Sequence, residues 1–136
     1  MVLVDANVLL DILTDDPKWR PWSEERLLAS IEVDQVAVNP IIYAELGAAY
    51  KTAAELDRAV SGWPIQRLSL PYEAAFPAVQ AFVRYRREGG QRRSPLPDFY
   101  IGAHAQTEGF TLLTRDDTRY RTYFPKLRLI APDARA

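Results

Sequence analysis

The chain has no cysteine, a single histidine and a single methionine, and lysine supplies only three of its 17 basic residues (Lys18, Lys51 and Lys126). Without cysteine there is no disulfide, no thiolate metal site and no cysteine nucleophile. With one histidine, little organic acid–base chemistry is available near neutrality, where imidazole is the side chain that ordinarily titrates. That residue, His104, is flanked by Ala103 and Ala105 in a helical pattern, and the expectation is a packed or surface histidine. No apolar run approaches the ~20 residues a membrane span needs. The N-terminus carries no basic segment ahead of an apolar one, as a secretory signal would. A cytoplasmic protein with no membrane partner is therefore expected. The net charge of −1 argues against a generic polyanion binder.

What is present is ordinary in bulk and uneven in detail. Hydrophobic residues make up 48% and charged residues 26% of 136 residues, which fits one domain, 1–136, with a core of its own. Arginine is concentrated in "RYRREGGQRR" (84–93), where Arg84, Arg86, Arg87, Arg92 and Arg93 cluster. Arginine suits bidentate phosphate contact better than lysine does.

The chain opens "MVLVDANVLLDIL", with Asp5, Asn7 and Asp11 set into an apolar run. Val2-Leu3-Val4 is short, mostly β-branched and without alternation, as in a strand buried on both faces of a parallel sheet. A helix over Val8–Leu13 would place Asn7 at its N-cap. Further along, the pattern predicts a helix from Ser23 to Ile31 and a strand at "VAVNP" (36–40), with Asn39-Pro40 as an N-cap and N1 pair. Helices follow at 41–51 and 53–62, and a strand at 65–70. The longest helical pattern (72–90) has Ala75, Val79, Phe82 and Val83 as its apolar stripe and Gly89-Gly90 as its end. A helix opened by Pro97 and closed by Gly109 precedes strands at 110–114 and 127–130. Short strands alternating with helices predict βαβ units and an α/β fold around a mainly parallel sheet.

That arrangement sorts the carboxylates. Asp5 ends the first strand. Glu45 lies one turn into the helix after the second. Asp98 opens the helix leading to "FTLLT", and Asp116 follows that strand, with Asp117 equally available. In a parallel sheet these positions converge on the carboxyl edge, where ligands bind. Each alone has a structural explanation as a cap, a dipole partner or a solvated residue. Together they repel, and a cation relieves the repulsion. Oxygen-only donors suit Mg²⁺ or Mn²⁺.

With these residues in hand, the sequence resembles the PIN-domain family of metal-dependent ribonucleases, and within it the VapC-type toxins of toxin–antitoxin pairs. The resemblance runs nearly end to end. It is carried by "VDANVLLDIL" (4–13), "NPIIYAEL" (39–46), "YRREGGQRRSPLPDFYIGAHA" (85–105), "LLTRDDTRY" (112–120) and "FPKLRLI" (124–130). It implies a three-layer α/β/α sandwich and an acidic set formed by Asp5, Glu45, Asp98 and, in preference to Asp117, Asp116. It implies Mg²⁺ or Mn²⁺ as cofactor and hydrolysis of RNA phosphodiester bonds. Asn7 and Thr114 would orient the ligands or a water, and Arg87, Arg92 and Arg93 are expected to position RNA phosphates. It also implies a homodimer and an antitoxin partner that lays a helix into a groove of the domain. Trp19 and Trp22, read as exposed, are candidates for such a contact or for a local cluster.

Two rival readings remain at this point. An aspartyl phosphotransferase or phosphatase would use Asp5 as nucleophile. It would want a second Asp where Asn7 stands and a lysine near the later acidic strand end, and none of the three lysines fits. A non-catalytic PIN-like binding module would have no need of the intact acidic set.

Overall fold

A computed structural model describes residues 1–93 and 96–132. Ser94, Pro95 and residues 133–136, which the 85–105 motif and the 1–136 domain assignment include, lie outside the described residues.

Five short strands form one all-parallel sheet in the order β3-β2-β1-β4-β5. They are β1 (Val2–Val4), β2 (Val36–Val38), β3 (Ile65–Arg67), β4 (Thr111–Leu113) and β5 (Leu129–Ile130). Helices α1 (Ala6–Leu13) and α2 (Arg20–Val33) connect β1 to β2. Helices α3 (Pro40–Gly47) and α4 (Ala53–Val60) connect β2 to β3. Helices α5 (Ala75–Arg87) and α6 (Pro97–Glu108) lead to β4, and α7 (Thr118–Tyr123) leads to β5. Helices cover both faces, giving the expected three-layer α/β/α sandwich. The central strands β1 and β2 are buried throughout, as their unbroken β-branched runs require.

The strand order reverses at β1. From β1 the chain steps outward to β2 and β3, then crosses back to place β4 on the other side of β1. Such a switch point opens a crevice at the carboxyl ends of the two strands. Val4 is in register with Leu113, and the Asp5 N–H donates to the Leu113 carbonyl at 2.9 Å. Asp5 and Thr114 therefore leave the sheet side by side.

Several local expectations shift. The N-cap of α1 is Asp5 rather than Asn7: its Oδ1 accepts the Ala6 N–H at 2.8 Å, and Asn7 falls inside the first turn. The helix follows the strand with a single residue between them, because a carboxylate at the strand end supplies the cap at once. Helix α2 begins three residues before Ser23, since Pro21 is tolerated in a first turn. The terminal turn of α6 closes on Gly109 as read, in the left-handed conformation at φ 72°.

The stripe on α5 is the largest change. Its buried residues are Ala78 and Ala81, while Ala75, Val79 and Val83 face outward and Phe82 is half-buried. The small alanines let α5 approach its neighbours closely, so the bulkier residues carry the outer face. Trp19 and Trp22 are half-buried, edge to face with centroids 6.2 Å apart, and Trp22 packs on the core. The local cluster accounts for both.

Candidate active site

Asp5 sits at the centre of the crevice and is 4% exposed. Its Oδ2 accepts the Thr114 hydroxyl at 2.9 Å and the Tyr120 hydroxyl at 2.9 Å. Burial, then the charge of Asp98, raises its pKa to about 6, against the lowering effect of hydrogen bonds from Tyr120, Thr114 and Ala6. Asp98 is the second residue of α6, where a negative charge complements the helix N-terminus. Its Oδ2 accepts from Arg119 Nη1 at 3.2 Å, and Oδ1 lies 3.4 Å from the Tyr120 hydroxyl. Burial raises its pKa despite Arg119.

Glu45 projects from α3 into the same cleft. Its Oε1 is buried and has no hydrogen-bond partner, and burial followed by the charges of Asp5 and Asp98 raises the carboxyl to about 7. A buried carboxylate oxygen without a donor is costly. Asp116 reaches the cleft from the β4–α7 turn, its N–H donating to Thr114 Oγ1 at 3.2 Å. Asp117 instead pairs with Arg121 on the outside of α7. Together Asp5, Asn7, Glu45, Asp98 and Asp116 line a cleft of about 400 Å³ with Ala6, Leu10 and Ala48.

A hydrogen-bond frame stands behind the carboxylates. Thr114, fully buried, accepts from Asn7 Nδ2 at 3.2 Å, and Asn7 Oδ1 accepts the Arg115 N–H at 3.2 Å. The same small group thus ties the end of β1 to the end of β4. His104 does not reach the cleft. Its Nδ1 lies 3.0 Å from Asn39 Nδ2, and Asn39 Oδ1 caps α3 through the Ile42 N–H. The amide donates, so the ring is neutral with its proton on Nε2, and burial lowers its pKa. The bond joins α3 to α6, the helices that carry Glu45 and Asp98.

The sequence reading missed Tyr120 and Arg119. Both come from α7, the short helix after Asp116, where no sequence pattern turns either side chain toward the site. Tyr120 is fully buried, and burial followed by the carboxylate charges pushes its phenol well above 10, so it stays a donor. It fixes the orientation of Asp5. Tyr120→Phe should keep the fold and weaken Mn²⁺ binding by about 10-fold or more, the usual cost of losing a group that orients a ligand. Calorimetric titration checks it, and an unchanged affinity would remove Tyr120 from the frame.

The arginine-rich segment lies further out. Arg92 borders a groove formed with Tyr85, Gly89, Gly90 and Gln91, and Arg87 lies on the outer face of α5 beside Phe76, Val79 and Val83. Arg93 is exposed.

The donor set is all oxygen, it includes the orphaned Glu45 Oε1, and it carries carboxyls raised by burial and then by one another's charge. These features fit a hard divalent cation. Among the described residues, no three acidic or histidine side chains are gathered closely enough to enclose an ion as they stand. Tyr120 bonds Asp5 Oδ2 and lies 3.4 Å from Asp98 Oδ1, and Arg119 holds Asp98 Oδ2.

The chain belongs to the PIN domain family, whose model matches residues 2–125. No curated protein matches it. Among solved structures it is similar to VapBC2 from Rickettsia felis bound to a promoter DNA fragment, at 17% identity and a TM-score of 0.74 over 98% of this chain and 100% of that one. A toxin–antitoxin complex from Klebsiella pneumoniae is similar at 22% identity and a TM-score of 0.72, covering 98% of each chain. VapC20 from Mycobacterium tuberculosis, a sarcin–ricin loop cleaving toxin, is similar at 13% identity and a TM-score of 0.65, over 90% of this chain and 95% of that one.

Proposed function

We propose that this PIN domain is a Mg²⁺- or Mn²⁺-dependent endoribonuclease and the toxin of a VapC-type toxin–antitoxin pair. The observation that carries the reading is the convergence of Asp5, Glu45, Asp98 and Asp116 on one cleft at the β1/β4 switch point, with Glu45 Oε1 unpartnered. A divalent ion held by these carboxylates would polarise the phosphodiester and lower the pKa of an attacking water. Asp5, held by Thr114 and Tyr120, orients that centre. Glu45 projects into the same cleft with Oε1 unpartnered, so it would hold the ion directly or accept a proton from a water beside it. No histidine reaches the cleft to do so.

RNA as substrate draws support from the cleavage named for the Mycobacterium relative, and a cellular RNA target would go with a cytoplasmic protein. The antitoxin draws support from the assemblies in which the similar Rickettsia and Klebsiella chains were solved. A homodimer would use the outward stripe of Tyr72, Phe76, Val79 and Val83, which remains exposed along α5 and the turn before it. Arg92 and Arg93 would hold RNA backbone beyond the cleft, whereas Arg87, beside Phe76, Val79 and Val83, falls on the dimer stripe. Among the described residues no helix is long and apolar enough to cross a membrane.

Melting curves test the metal site, and RNA cleavage with and without EDTA tests its use. An ion that binds only the folded chain stabilises it by RT ln(1 + [L]/Kd), about 1.4 kcal/mol at a tenfold excess. For a domain of this size that is a rise of about 5 °C in Tm. The pH dependence carries its own signature. Asp5 holds its proton up to about 6 rather than its ordinary 3.8, and Glu45 up to about 7 rather than 4.5. The folded chain therefore binds more protons than the unfolded one between about pH 4 and 7, so stability falls as pH rises through that window. In EDTA the Tm should drop from pH 5 to pH 8. In millimolar Mn²⁺ the drop should shrink or reverse, because the ion needs ionised carboxylates. No Mn²⁺ shift at pH 8, or full cleavage in EDTA, contradicts the reading.

A further inference from the structure

Asp98 and Asp116 are shared walls. On one side is the carboxylate cleft, and on the other a second groove of about 310 Å³ lined by Tyr85, Thr118, Arg119, Thr122 and Tyr123. Tyr85 in turn borders the groove that holds Arg92. Shared walls thus link the carboxylate cleft, the groove beside Arg119 and the arginine-rich turn.

Arg119 has two anchors of different kinds. One is Asp98, through Nη1 to Oδ2 at 3.2 Å. The other is aromatic: the guanidinium carbon lies 5.9 Å from the Tyr85 ring centroid and 6.0 Å from that of Phe99. Its side chain is 39% exposed into the groove. The second anchor does not depend on the first, so losing Asp98 frees the donors of the fork without releasing the side chain. Arg115, the neighbouring arginine, is already bound to Asp11 and turned away from the groove.

Resting on the nuclease reading above, we propose that Arg119 is an exchangeable cation of the active site: it holds Asp98 when no divalent ion is bound, and transfers to a backbone phosphate of single-stranded RNA lying in the second groove when an ion takes Asp98. The exchange follows from charge. A divalent ion held by Asp98, through either oxygen, would draw on the negative charge that Arg119 pairs with and repel the guanidinium beside it. A phosphodiester next to the scissile one brings the anion that the displaced fork then lacks, and its geometry matches the fork bidentately. Thr118 and Thr122 add hydroxyls along the same groove.

The consequence has opposite signs for the two ligands, which a merely structural role would not produce. Three proteins are compared: wild type, Arg119→Ala and Arg119→Lys. Mn²⁺ affinity is read by calorimetry with no RNA present. Binding of a fluorescein-labelled single-stranded RNA of mixed sequence is read by anisotropy in saturating Mn²⁺, with Glu45→Gln added to each protein to suppress cleavage. Arg119→Ala should bind Mn²⁺ several-fold more tightly, having lost the competitor. It should bind RNA about 10-fold more weakly, with a salt slope shallower by ~0.7. Arg119→Lys keeps the charge without the fork, so its Mn²⁺ affinity should stay near wild type while RNA binding falls a few-fold. Unchanged or weaker Mn²⁺ binding by Arg119→Ala, or unchanged RNA binding, overturns the exchange while leaving the nuclease reading in place. A wild type that binds neither Mn²⁺ nor RNA overturns both.

Discussion

Asp5→Asn is expected to lower RNA cleavage by about 10³-fold or more and to abolish the growth arrest that expression of the wild-type chain alone should cause. The size follows from what the charge does. Ion-assisted stabilisation of a reacting phosphate is worth several kcal/mol, and each 1.36 kcal/mol is a factor of ten in rate. Asp5 is the carboxylate on which the Thr114 and Tyr120 hydroxyls both converge. Asparagine keeps the shape and the Oδ1 that caps α1, so the fold should survive. Stability in EDTA should be unchanged or higher, because the ionised Asp5 is already disfavoured by burial and by Asp98. That combination separates loss of chemistry from loss of folding. An Asp5→Asn protein that melts like wild type in EDTA yet still cleaves RNA and stops growth would contradict the assignment.

The carboxylates could be read from the chain because each stands at a boundary that local chemistry announces. Asp5 ends a β-branched run, Glu45 follows the Asn39-Pro40 start of α3, Asp98 follows Pro97, and Asp116 stands in the turn just after β4. Parallel topology does the rest by bringing strand ends to one edge. The supporting residues were not readable in the same way. Arg119 and Tyr120 act through the return of α7 to the crevice, and nothing within six residues of helix says which way its side chains turn. Tyr120 looks like any core aromatic until its hydroxyl is seen against Asp5. The stripe on α5 failed for a related reason. Size and hydrophobicity marked Val79 and Val83 as core, but helix–helix approach at close range selected Ala78 and Ala81. Periodicity showed a helix there without showing which face its neighbours would cover.

Asp11 was the carboxylate with least explanation in the sequence, and it carries the largest expected effect on stability. It lies on the buried side of α1 at 2% exposure, yet it is ion-paired with Arg115 and hydrogen-bonded by Ser23. Arg115 Nε donates to its Oδ2 at 2.8 Å and lies 3.1 Å from Oδ1, and the Ser23 hydroxyl donates to Oδ2 at 2.7 Å. The pair therefore ties α1 to α2 and to the turn between Thr114 and Asp116. Trp19 covers it, its ring centroid 5.5 Å from the guanidinium carbon. Removing one member of a buried pair is more damaging than removing both, because it strands a charge. Arg115→Ala leaves Asp11 buried with Ser23 alone and should cost about 3 kcal/mol, a fall of about 10 °C in Tm. Asp11→Asn should cost less, since the half-exposed Arg115 can rehydrate and the amide oxygen still accepts from Ser23. The double variant Asp11→Asn/Arg115→Ala should then be more stable than Arg115→Ala alone, and a double-mutant cycle measures that coupling directly. Function should follow the same order. The Arg115 backbone N–H holds Asn7, and its chain neighbours Thr114 and Asp116 are the two residues that β4 delivers to the cleft, so a loosened turn should also weaken Mn²⁺ binding in Arg115→Ala. If that variant melts within about 0.5 kcal/mol of wild type, the range of an ordinary surface substitution, then Asp11 is not held by Arg115, and the turn that delivers Asp116 is secured by the Asn7–Thr114 frame alone.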